Sequence, residues 1–114
     1  MSLPYSDNIT LLSTAGGTTT SSAYDISKRQ QITLQFIATE TSAFTVDVSN
    51  DGTNWITGVA FLDSKATAAT TYVTSKTVTF AASEGAIVTP GFRYLRVVAT
   101  NNGGVSTAIL QDAG

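Results

Sequence analysis

Few residues in this chain can carry chemistry. The carboxylates are Asp7, Asp25, Glu40, Asp47, Asp51, Asp63, Glu84 and Asp112. The six cations include the pair Lys28-Arg29 and the separated Arg93 and Arg96. Cys and His are absent. That removes disulfides, thiolate nucleophiles and Cys-type zinc sites, together with Ser-His-Asp and Cys-His arrangements and His-ligated metals. Acid–base work by two carboxylates needs them facing each other across a cleft, and 114 residues leave little room for one. The expectation is a protein that is not an enzyme and has no catalytic residue, metal or cofactor.

Two strings are the most specific. The first is Val46-Asp47-Val48-Ser49-Asn50-Asp51-Gly52-Thr53-Asn54-Trp55. Asp-Gly between alternating runs is a hairpin signal, because Gly takes positive φ without steric cost and Asn or Asp side chains bond the following backbone N–H groups. Trp55 then folds over the sheet as an anchor. A Ca²⁺ site on Asp47 and Asp51 is the rival reading. Calcium wants 6–8 oxygens, and the EF-hand spacing is missing. The second string is Phe92-Arg93-Tyr94-Leu95-Arg96-Val97. In a strand Arg93 and Arg96 fall on opposite faces, so they form no basic patch, whereas Tyr94 and Arg96 share one. Trp55, Tyr94, Arg96 and Tyr72 are the candidate partner or ligand contacts.

The elements that must hold these residues read as strands. Period-2 alternation dominates and no stretch shows a 3.6-residue apolar repeat. Strands are predicted over Ile9–Ser13, Ala23–Ile26, Gln31–Thr39, Ala43–Ser49, Trp55–Phe61, Thr71–Phe80, Phe92–Thr100 and Val105–Gln111. A loop or arm is expected through the Thr/Ser/Gly run at 15–22, a loop over Asp63–Ala69, and a turn at Asn101–Gly104. Ala81–Pro90 reads as a bend with a short strand at Ala86–Val88. Phe44, Val46 and Val48 point inward with Thr45 and Asp47 outward, and Tyr72, Val78 and Phe80 are core candidates. About eight short strands with turns every 8–12 residues make a single all-β domain over 1–114, an antiparallel β-sandwich or jelly roll, with 1–22 as an extended arm and flexible loop.

Composition bears on partners. Charged residues make up 12% of the chain and the net charge is −2, so the basic footprint of a nucleic-acid binder is missing. With 20 Thr and 12 Ser, much of the surface is neutral hydroxyl, and interface cores are depleted of charge because desolvating it is costly. No apolar run is long enough for a membrane span. The first seven residues lack the basic and apolar regions of a signal peptide, so the expected site of synthesis is the cytoplasm.

The order Ser49-x-Asp51-Gly52-x-x-Trp55, then Arg93-Tyr94-Leu95-Arg96-Val97, then Asn102-Gly103-Gly104 resembles the small β-sandwich virion modules of tailed bacteriophages over roughly residues 32–111. Decoration (cement) proteins and fibre or baseplate modules are of this kind, and discoidin-like sandwiches carry similar strings. The resemblance implies a structural virion protein that binds the major capsid protein or another virion protein, acts as a homo-oligomer with a trimer favoured, and resides in the virion. A carbohydrate-binding or fibre/baseplate module is the alternative.

Overall fold

The computed structural model describes residues 9–27, 31–63, 72–79, 82–88 and 91–113. Among these residues nine antiparallel strands form one sheet: β1 (Ile9–Thr20), β2 (Tyr24–Asp25), β3 (Gln31–Ala38), β4 (Ser42–Ser49), β5 (Phe61–Asp63), β6 (Tyr72–Val73), β7 (Lys76–Val78), β8 (Ala82–Val88) and β9 (Tyr94–Ala113). The order is β6-β5-β8-β3-β9-β4-β7, with β1 and β2 also on β9. All-β architecture follows from a sequence rich in β-branched Thr, Val and Ile and lacking helical periodicity.

β9 organises the fold. Its first half pairs with β4, from Ser49↔Tyr94 to Ser42↔Asn101, and its second half with β3, from Ala38↔Ser106 to Gln31↔Ala113. β3 and β4 therefore lie end to end along one side of β9. β1 follows the other side but steps from Ala15↔Val105 to Gly17↔Asn101. The surplus β9 residues make a bulge, opposite which Gly16 and Gly17 both take φ 68. Bulges bend strands and let them pass from one layer to another. β7 lies beside β8, so the sheet curls until it is nearly closed into a barrel.

The interior follows the alternation. Ile32, Leu34, Phe36 and Ala38 from β3, Phe44, Val46 and Val48 from β4, and Leu95, Val97 and Ala99 from β9 are buried. Phe36 stacks on Phe44 with centroids 4.5 Å apart and meets Phe61 edge-on at 6.1 Å. Burying side chains of this size contributes roughly 1.5–3 kcal/mol each.

Several expectations are corrected. Residues 15–20 are the second half of β1, hydrogen-bonded to β9, not a loop; a strand interrupted by two glycines resembles a linker until its partner is known. Asn101–Gly104 is a bend inside β9, not a hairpin turn. Trp55–Phe61 is no strand: it touches β4 through one bridge, Val48↔Ile56, before β5 begins at Phe61. Ala82–Val88 is a full strand rather than a bend, and 72–78 splits into β6 and β7. Val78 is buried as expected, but Tyr72 is 56% exposed on the edge strand β6. Phe80, the loop over 64–69 and the N-terminal stretch 1–8 lie outside the described residues.

Candidate functional site

β4 and β9 place the outward residues Asp47 and Arg96 directly opposite each other, with Ser49 and Tyr94 as the next outward pair. In register, opposite charges meet at cross-strand distance. Arg96 Nε donates to Asp47 Oδ2 at 2.9 Å, and the N–H of Gly58 donates to Oδ1 at 3.1 Å. The guanidinium in turn lies 4.2 Å from the Trp55 ring centroid. Asp47, expected to point outward, is 2% exposed. Alternation does aim it away from the core, but the 55–59 segment lies over it, held to β4 by Val48–Ile56 bonds in both directions and by Val59 N–H to Val46 O. The result is carboxylate, guanidinium and indole stacked outward from the sheet. A carboxylate desolvated this far requires its charged partner.

The preceding turn presents Trp55. The N–H groups of Thr53 and Asn54 donate to Asp51 Oδ1 at 2.9 and 2.8 Å, and Asn54 Nδ2 donates to Oδ2 at 2.8 Å. Ser49 Oγ accepts from the N–H of Gly52 at 3.0 Å and lies 2.6 Å from Asn54 O. The Asn54 side-chain amide foremost, then the two backbone donors and Ser49, hold the Asp51 carboxyl well below the usual carboxylate range. Gly52 has φ 75, and a Cβ there would reach 3.4 Å from the Tyr94 ring. The turn thus sits against Tyr94. On the next position, Arg93 places its guanidinium 5.2 Å from the Tyr94 centroid and its Nε 3.7 Å from Asp25, while its backbone N–H donates to Asn50 Oδ1 at 3.2 Å.

Trp55, Tyr94 and Arg96, three of the four sequence candidates, therefore lie together in one patch on the outer face. Tyr72 stands elsewhere, in the row Tyr72, Leu62, Ile87, Thr33 and Gln111 across β6, β5, β8, β3 and β9. A depression of about 140 Å³ lined by Thr33, Gln35, Ile109 and Gln111 lies on that layer, small beside the roughly 300–1,000 Å³ of small-molecule sites. Sequence reasoning missed Asp47 as the clasp of the patch. The signal was the opposite charge at outward positions of β4 and β9, which becomes visible only with the register. Among the described residues no group of three metal-ligating side chains converges. Asp51, part of the calcium reading, spends its oxygens on the turn's own donors.

No protein-family model and no curated protein sequence matches the chain. Solved structures share the fold, among them YomS and XepA. The SPBc2 prophage-derived protein YomS superposes with a TM-score of 0.80 at 8% identity, over 100% of this chain and 96% of that one. The PBSX exported protein XepA superposes with a TM-score of 0.66 at 14% identity, over 95% of this chain and 37% of that one. At such identities the likeness is one of fold.

Proposed function

We propose that the chain is a non-catalytic structural module of a bacteriophage particle, and specifically a decoration protein that docks on assembled capsid subunits. The observation that carries the reading is the end-to-end superposition on YomS, a prophage-derived protein of nearly the same extent. The Trp55–Arg96–Tyr94 patch supports a docking role. Aromatic and Arg side chains are the usual anchors of protein interfaces, and here the Asp47 clasp and the Asp51 turn hold them before a partner arrives. A protein that binds only the assembled shell stabilises it by mass action. Self-association into a trimer would suit a capsid's local threefold positions.

A fibre or baseplate module is the second reading, favoured by one observation: the matched fold takes up 37% of the longer XepA chain, so it also occurs as part of a larger protein. Carbohydrate binding has less support, because Trp55 gives one ring face to Arg96.

The test is to band particles produced by the genome that encodes the chain, separate capsids from tails, and quantify the protein in each by mass spectrometry. Decoration requires it on capsids at a fixed ratio to the major capsid protein. Enrichment in tails selects the second reading, and absence from every particle fraction overturns both.

A further inference from the structure

We propose that Lys76 and Asp63 become joined by an intramolecular isopeptide bond, with Glu84 as the proton relay. Among the described residues, three charged side chains lie on the inner face of the curled sheet at the seam where β5, β7 and β8 meet. Lys76 pairs opposite Phe44, Glu84 pairs opposite Phe36, and Asp63 follows Phe61 by two positions on β5. Each therefore sits on the core side beside one member of the Phe36–Phe44–Phe61 cluster. The side chains of Lys76, Asp63 and Glu84 are 21%, 13% and 15% exposed. Lys76 Nζ lies 2.7 Å from Asp63 Oδ2 and 3.5 Å from Glu84 Oε1, an oxygen shielded from solvent.

Inward charges are costly to desolvate and are a poor source of stability alone. An amine, a carboxyl and a second carboxylate held together beside aromatic rings are nevertheless the groups that a condensation needs. A proton passes from the Lys76 ammonium to the Asp63 carboxylate, giving a neutral pair that weak solvation favours relative to water. The Nζ lone pair attacks Asp63 Cγ, the C–N bond forms, and the carbonyl electron pair moves onto oxygen. Glu84 takes the second proton from nitrogen and hands it to the departing hydroxyl. The C–O bond breaks, water leaves and the carbonyl re-forms. One ammonium and one carboxylate become one amide and one water, Glu84 is regenerated, and no other reactant is needed. The hydrogen bond that Lys76 donates to Asp63 keeps the Lys76 pKa above its ordinary value, so the reactive neutral amine is the minor species and the bond forms slowly after folding. Holding the groups in contact offsets this, because well-oriented intramolecular partners reach effective molarities of about 10⁵–10⁸ M. The product would staple β5 to β7 across the seam.

The experiment is intact-mass measurement of the purified folded chain during incubation, followed by proteolysis and tandem mass spectrometry. The expected result is a species lighter than the sequence by one water, yielding a branched peptide with Lys76 joined to Asp63. Lys76→Arg and Asp63→Ala should keep the full mass, and Glu84→Gln should retain the fold while converting at least tenfold more slowly. Asp51-Gly52 can also lose water by cyclising, so the site of loss is part of the readout. The proposal is overturned if folded wild-type protein stays at full mass with Lys76 unmodified, or if the lost water maps to Asp51.

Discussion

Replacing Arg96 by Ala would remove the group that permits a carboxylate to be buried beside β4. Asp47 is 2% exposed, with Arg96 Nε on one oxygen and the Gly58 N–H on the other. Breaking a buried ion pair from one side costs about 3–5 kcal/mol. The Arg96 side chain is 25% exposed, so water will reach Asp47 once it is gone and the low end applies. Loss of the contact with Trp55 adds about 1 kcal/mol. The sum, near 3–4 kcal/mol, is a large fraction of the roughly 5–15 kcal/mol that holds most domains folded. At about 4 °C per kcal/mol for a chain of this size, Tm should fall by roughly 12–16 °C. Asp47→Ala should cost less, about 2 kcal/mol, since it leaves a solvent-reachable cation and one orphaned N–H. The double variant should be milder than the sum by about 1–3 kcal/mol of coupling. Urea unfolding followed by the fluorescence of Trp55, the only Trp in the chain, reads both stability and site, since an uncovered indole emits further to the red. If the two substitutions add within about 0.5 kcal/mol and the Trp55 emission of Arg96→Ala does not move, the clasp described here is wrong.

Other outcomes follow from the same geometry. Asp51 should still be ionised at pH 3 when followed by carboxyl-resolved NMR, because its folded-state pKa is depressed below the ordinary value of 3.8. Its contribution is therefore complete above that value and fades only as pH falls well below it, and a midpoint near 3.8 would contradict the turn. Ser106→Ala should destabilise by about 2 kcal/mol in denaturant titration. It removes the hydrogen bond to the side-chain amide of buried Asn101 at 2.7 Å and one of two at Ser42 Oγ, at 2.6 Å, leaving that to Thr100 O, and an effect below about 0.5 kcal/mol would show that this corner network is not coupled to folding. Gly17→Ala should cost about 1–2 kcal/mol through its left-handed conformation alone, since no atom stands within 4 Å of the added methyl; a neutral result in thermal unfolding would mean that β1 relaxes freely opposite the β9 bulge.

Residue type and period alone determined much of this protein. Alternation through Ile32, Leu34, Phe36 and Ala38, and through Phe44, Val46 and Val48, places those side chains in the core, because successive strand residues point to opposite faces whatever the partner. The Asp51-Gly52 turn was legible for an equally local reason: its bonds join residues within five positions of one another. Tertiary structure decided what depends on which strand lies beside which. A Gly-Gly interruption is a loop or part of a strand according to whether β9 lies alongside it. Asp47 is wet or buried according to whether the 55–59 segment folds back over β4 and Arg96 stands opposite. Lys76, Asp63 and Glu84, unremarkable along the chain, converge only because β5, β7 and β8 meet at one seam. Pairing register is a long-range property, and a shift of one residue would turn each of these side chains to the other face.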